Sequence, residues 1–133
     1  MKILLIDAKG GKMGRQLVER IKASFPKAII TAVGTNSSAT AAMLKGEPDF
    51  AATGENSVIT ACRTADVIIG PIAIVIADSL IGEITPSMAV AVGQSDAVKI
   101  LIPVNKCGNL VAGIGTETMS ELLDDVLLKL STL

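Results

Sequence analysis

Lys2-Ile-Leu-Leu-Ile-Asp7, followed by Ala8-Lys-Gly-Gly-Lys-Met-Gly14, is the stretch on which the fold turns. The apolar run does not alternate with polar residues, so it reads as a strand covered on both faces, the pattern of a parallel sheet. Beyond Gly10 and Gly11, residues Met13, Leu17, Val18, Ile21 and Phe25 recur at helical spacing, while Arg15, Gln16, Glu19, Arg20 and Lys22 fill the opposite face. Strand, glycine turn and amphipathic helix form the opening unit of a doubly wound α/β fold.

Outward from that unit the alternation repeats. Ala28 to Val33 reads as a second buried strand, ended by Gly34-Thr-Asn-Ser-Ser38, whose capping side chains open a helix from Ala39 to Lys45 closed by Gly46 and Pro48. Phe50 to Ala52 is a short third strand, Ser57 to Arg63 a short helix, and Ala65 to Gly70 a fourth strand stopped by Pro71. Ile72 to Ile81 is ambiguous between strand and buried helix, and its position after a strand end favours helix. Thr85-Pro86 starts a helix that runs to about Val92, and Lys99 to Val104 is the fifth strand. Leu110 to Ile114 is a candidate sixth strand, and the capping box Thr118-Met-Ser-Glu121 opens the last helix. The expected architecture is a three-layer, Rossmann-like doubly wound α/β domain over residues 1–133, with a mainly parallel sheet of five or six strands and right-handed crossovers.

Composition narrows the chemistry. The 133 residues are 50% hydrophobic and 19% charged, enough apolar material for a full core. With two Phe, no Trp, no Tyr and a net charge of −1, the chain lacks both stacking platforms and the basic patch that nucleic acid needs. It has no His, which removes Ser-His and Cys-His pairs, His-ligated metal and the usual base near neutral pH, and no metal site is expected. Cys62 and Cys107 stand far apart, outside any metal-ligand spacing, and neither is expected to be catalytic or bridged. The apolar stretch Val67 to Ala77 is bounded by Asp66 and Asp78 and is about half a membrane span, so a cytoplasmic protein without membrane contact is expected. The apolar segment Ile72 to Ile81 and the poorly charged helix near Met88 to Val92 exceed what so small a domain covers alone, so a homo-oligomer, in the first instance a dimer, is expected.

In open α/β sheets ligands bind at the carboxyl ends of the strands, near the switch in strand order. That rule selects Gly10, Gly11, Lys12, Met13 and Gly14 as a cradle for phosphate at the start of the first helix. The G-x-G-x-x-G fingerprint is incomplete, because Lys9 stands where its first glycine belongs. Thr35, Asn36 and Ser37, at the second strand's exit, either hold a ribose or cap the following helix. Glu55, Asn56, Gly70, Pro71 and Asn105, at the later exits, complete the candidate pocket. The carboxylates Asp78 and Glu83 either reach solvent or a partner or mark a site. The expected ligand is a phosphate-bearing small molecule or a nucleotide, NAD(P) included. The rival reading is a non-enzymatic sensor or interaction module whose glycine turn is structural. Gly11→Glu is expected to abolish ligand binding while leaving the fold intact.

The fourth-strand turn Ala65-Asp-Val-Ile-Ile-Gly-Pro71 resembles that of NAD(P)-binding Rossmann-like domains. More closely, Ala32-Val-Gly-Thr-Asn-Ser37, Thr53-Gly-Glu-Asn56, Ile69-Gly-Pro-Ile72, Ala77-Asp-Ser-Leu80, Gly82-Glu-Ile-Thr-Pro86 and Lys99-Ile-Leu-Ile-Pro-Val-Asn105 resemble a family of short bacterial proteins, a domain of unknown function. The resemblance implies a Rossmann-like fold and no activity. That family carries Gly where this chain has Ala8 and Lys12, which adds bulk and positive charge at the proposed phosphate site.

Overall fold

A computed structural model describes residues 1–104 and 106–133. Strand β1 (Lys2–Asp7) leads through the glycine turn into α1 (Lys12–Ser24). There follow β2 (Ile29–Gly34), α2 (Ser37–Leu44), β3 (Phe50–Thr53), α3 (Glu55–Cys62) and β4 (Val67–Pro71). A 3-10 turn over Ile72–Val75 precedes α4 (Pro86–Gln94), β5 (Val98–Ile102) and α5 (Met119–Leu130).

The sheet runs β3-β2-β1-β4-β5 and every pairing is parallel. This is the Rossmann order, with β1 central and the switch between β1 and β4. Successive residues of β1 feed opposite cores. Ile3 and Leu5 pack with Leu17, Val18, Ile21, Met43, Leu123 and Val126, so α1, α2 and α5 cover one face. Leu4 and Ile6 pack with Val58, Ile68, Ile74, Met88 and Val92, so α3 and α4 cover the other. The unalternated apolar reading of β1 is thereby explained: it has two buried faces.

Helix starts follow the sequence signals. The Thr85 hydroxyl accepts from the Met88 N–H at 3.1 Å. Thr118 and Glu121 form the reciprocal box, at 3.1 and 3.2 Å.

Two expectations are corrected. Residues 72–81 are not a helix: after the 3-10 turn the backbone is left-handed at Asp78, Leu80, Ile81 and Gly82. Four β-branched residues among Ile72 to Ile76 disfavour helix continuation, and the Asp78 N–H bonds instead to the Ile84 carbonyl at 2.8 Å. Residues 110–114 are not a sixth strand. Gly108 and Gly113 both take positive φ, the Asn109 N–H turns back to the Lys106 carbonyl at 2.9 Å, and Leu110 is almost wholly exposed. The sheet therefore ends at β5, with five strands. Among the described residues no helix is long and apolar enough to cross a membrane.

Candidate functional site

Because β1 and β4 send their chains to opposite faces, a crevice opens at their carboxyl ends. Two features occupy it.

The first is a cleft of about 540 Å³ on the α1–α5 side, lined by Asp7 to Met13, Gln16, Arg20, Val104, Met119 and Ser120. The N-terminal turns of α1 and α5 both border it. At the start of α1 the N–H groups of Lys12 and Met13 have no hydrogen-bond partner among the described residues, as the geometry of a helix's first turn leads one to expect. The next N–H, of Gly14, donates to Asp7 Oδ2 at 2.6 Å, and the Ala8 N–H donates to Asp7 Oδ1 at 2.8 Å. A buried carboxylate of the chain itself thus already sits under the turn. Burial pushes the Asp7 carboxyl above its ordinary value, the two N–H bonds pull it down, and the nearby charge of Glu83 raises it. On the far wall Arg20 donates to Asp124 Oδ1 at 2.7 Å and to Ser120 Oγ at 3.1 Å, which ties α1 to the first turn of α5.

The second feature is Glu83. Its chain segment leaves β4, crosses over the exit of β1 and reaches the exit of β2. There Glu83 Oε1 accepts from the Lys9 N–H at 3.1 Å, the Thr35 hydroxyl at 2.7 Å and Asn36 Nδ2 at 2.7 Å. Partial burial opposes ionisation, but the bonds from Thr35, Lys9 and Asn36 and the charge of Lys9 hold the Glu83 carboxyl below its ordinary value. Asp78, its neighbour in the sequence reading, is exposed at the surface.

The expected site residues divide accordingly. Gly10, Gly11, Lys12 and Met13 line the cleft together, and Gly14 lies just beneath it on Asp7. Thr35 and Asn36 form the Glu83 seat, and Asn36 Oδ1 also accepts from the Ala39 N–H at 2.9 Å as the cap of α2. The cap reading of that loop is seen at Asn36, and Glu83 lies where a ribose was expected. Ser37 is exposed on the first turn of α2. Glu55 accepts from the Thr85 hydroxyl at 2.7 Å, joining the starts of α3 and α4 away from the cleft. Asn56 borders a groove along β1, β2 and β3 on the α3 face. Gly70 and Pro71 are buried, and a Cβ at Gly70 would lie 2.6 Å from the Ile6 carbonyl, so this glycine lets β4 approach β1. Asn105 lies outside the described residues.

Gly11 also departs from expectation. Its φ is +71°, and a Cβ there would lie 2.5 Å from the Ala39 carbonyl oxygen. Gly11→Glu therefore disrupts the packing of α1 on α2 and cannot leave the fold intact. Gly10 has open space around it and is the position for such a test. Sequence reading missed Arg20, Gln16 and Ser120 as cleft residues. The signal for two of them was present: Gln16 and Arg20 lie on the polar face of α1, one and two turns past the glycine turn.

The segment on which the oligomer expectation rested is largely internal, since Ala73, Ile74 and Leu80 are buried within the chain, as are Met88, Ala89 and Val92.

No curated protein matches the sequence. Among solved structures, one similar chain is a dodecameric FMN-dependent UbiX-like decarboxylase from Escherichia coli O157:H7, at 19% identity over 99% of this chain and 75% of that one, with a TM-score of 0.47. Another is a nucleoside-diphosphate-sugar epimerase from Pseudomonas aeruginosa, at 14% identity over 96% of this chain and 46% of that one, with a TM-score of 0.49. What those proteins bind is theirs, and the architecture above rests on this chain's own strand order. The family described as a domain of unknown function, DUF3842, matches residues 2–133, and the chain belongs to it.

Proposed function

We propose that the protein binds a phosphate-bearing small molecule or nucleotide in the cleft between the first turns of α1 and α5. One observation carries the reading: two helix N-termini border a single concave site at the switch point of a Rossmann-ordered sheet, with Lys9, Lys12 and Arg20 around it. The ligand's anionic group meets the N–H groups of Lys12 and Met13 and the ammonium of Lys12, outside the Asp7 carboxylate rather than against it. Gly10, Gly11 and Met13 supply close-approach backbone, and Gly14 acts through its bond to Asp7. Asn105, at the exit of β5, belongs to the same proposal by its sequence position. With Glu83 in its seat, the place at the β2 exit where the ribose of an extended NAD(P) would lie is filled. The site's role is binding, and the reading assigns no reaction. A cytoplasmic homo-oligomer accompanies it, with Phe50 and Leu110 as exposed apolar residues for subunit contact.

The test is a thermal-shift screen of inorganic phosphate, adenine and guanine nucleotides and sugar phosphates on the wild type and on Gly10→Glu. A ligand at a hundred times its dissociation constant stabilises the fold by ~2.7 kcal/mol, a rise of roughly ten degrees in melting temperature. Gly10→Glu places bulk and negative charge in the cleft without a steric clash and loses that rise. Equal shifts in both proteins, or none in either, refute the assignment.

A further inference from the structure

The seat of Glu83 has the chemistry of a ligand site. Three donors from two strand exits converge on one carboxylate oxygen: the Lys9 N–H, the Thr35 hydroxyl and the Asn36 amide, at 3.1, 2.7 and 2.7 Å. Their positions are fixed by close packing. Gly34 sits where a Cβ would lie 2.4 Å from Thr40 Oγ1, and Gly11 where one would lie 2.5 Å from the Ala39 carbonyl, so both turns are clamped against the start of α2. The Thr35 N–H is held by the Asp7 carbonyl at 3.0 Å. Thr35 and Asn36 are therefore held in place, while Lys9, whose N–H is the third donor, itself has left-handed backbone at φ +52°.

Glu83 is delivered by a strap that is anchored along its backbone, with Leu80 buried and the Gly82 and Glu83 N–H groups donating to the Asp78 and Leu80 carbonyls at 3.2 Å, so that only the Ile81 side chain and the Glu83 side chain leave it. Ser79 is buried and donates to the Ala73 carbonyl at 2.8 Å, and Ile84 is buried in the α3–α4 core. Between them Leu80 and Ile81 hold left-handed backbone at φ +56° and +54°, a conformation that non-glycine residues avoid and β-branched ones most of all. Ile81 is fully exposed, so no packing of its side chain offsets this conformation. Gly82 follows at φ +84°, and a Cβ there would meet nothing within 4 Å, so open space lies beside the residue that precedes Glu83. The backbone of the segment is held by its own bonds, and the Glu83 side chain is the part that reaches across the crevice and has an alternative position in that open space.

We propose that the strap over residues 77–83 is autoinhibitory: the Glu83 carboxylate stands in for an oxyanion of the ligand, and a ligand phosphate takes its seat when that side chain swings out. This deepens the function proposed above and rests on it, since the seat takes a further oxyanion of the same ligand whose first anionic group lies in the cleft. The seat selects oxyanions because it offers a backbone N–H, a hydroxyl and an amide, with the charge of Lys9 nearby. An internal competitor at high effective concentration lowers the apparent affinity of the seat for any free anion.

Isothermal titration of the full chain with inorganic phosphate tests the strap. Glu83→Ala is expected to bind phosphate at least tenfold more tightly than the wild type. Adding Thr35→Val, which keeps the side chain's shape and removes one donor, should cancel the gain, whereas adding Gly10→Glu should leave it, because that change blocks the cleft and not the seat. Should Glu83→Ala fail to fold, Glu83→Ser, whose side chain is too short to reach the seat, is judged by the same tenfold criterion. A gain below tenfold overturns the strap, whether both proteins bind phosphate or neither does. So does a gain that survives Thr35→Val. Phosphate bound by the wild type and lost in Gly10→Glu alone would leave the cleft in place while removing the strap.

Discussion

Gly11, at the start of α1, and the strap over residues 77–83 both have left-handed backbone, and for opposite reasons; Lys9, left-handed at φ +52° just before Gly11, belongs with the strap's residues. In the turn, Gly11 is left-handed because α2 leaves no room for a side chain. In the strap, Asp78, Leu80 and Ile81 are left-handed although glycine would serve better, and hydrogen bonds along the strap hold them there. The lesson is that a glycine-rich turn in a Rossmann sheet reports packing first and ligand second, whereas left-handed residues that are not glycine report a segment held against its preference.

The sharpest way to break this contrast is Gly11→Ala. Left-handed strain and the collision with Ala39 together predict a loss of about 3 kcal/mol in urea unfolding. Gly10→Ala, one residue earlier in open space, should change stability by less than about 0.5 kcal/mol. Similar costs at the two positions would mean that the turn is not set by its contact with α2.

Next in size is Ser79→Ala, which removes the bond to the buried Ala73 carbonyl and should cost about 1 to 2 kcal/mol. A neutral result would show that the strap's first anchor lies elsewhere. Ile81→Gly sharpens the other side of the comparison. Its left-handed cost disappears with no buried area lost, and the added freedom of the unfolded chain takes part of that back, so a net gain of about 0.5 to 1 kcal/mol is expected. Calorimetry should register this as a rise of roughly 2 to 4 degrees.

The smallest effect is in the acid limb. Glu83 has its carboxyl lowered from 4.5 on folding, so its contribution is present above pH 4.5 and is lost as pH falls through the lowered value. Asp7, raised from 3.8, acts in the opposite sense: its contribution is full below pH 3.8 and is lost as pH rises through its folded value. Subtracting the stability curve of Glu83→Gln from that of the wild type leaves the Glu83 part, less the share of the Asp7 shift that the Glu83 charge causes, and that difference shrinks as the solution is acidified below pH 4.5. A difference that grows instead would place Glu83 outside its seat.

Much of the fold was legible because its signals are local. The unbroken apolar run of β1, the stripe from Met13 to Phe25 and the capping boxes at Thr85 and Thr118 each decide a structure within a few residues. The strap and the exposed segment near Leu110 were not legible, since apolar content alone does not say whether a segment has a neighbour to pack on or pair with. At the candidate site, the turn itself could be read, while its two carboxylates could not. Asp7 bonds a residue seven positions away and Glu83 one that is 74 away, and neither partnership leaves a periodic trace. Arg20 sits on the helix that was read correctly, but its role depends on α5, a hundred residues downstream.

The position of β1 at the centre of the sheet has a consequence for biosynthesis. β1 pairs with β2 and, on its other side, with β4, so the strand made first is completed by one made much later. When β3 has emerged from the ribosome, the backbone N–H and C=O groups along the β4 side of β1 are still unpaired, and at ~5 to 20 residues per second the interval until β4 follows is roughly one to four seconds. The nascent first half is then a sheet with an open edge, a template on which another strand can pair until β4 arrives.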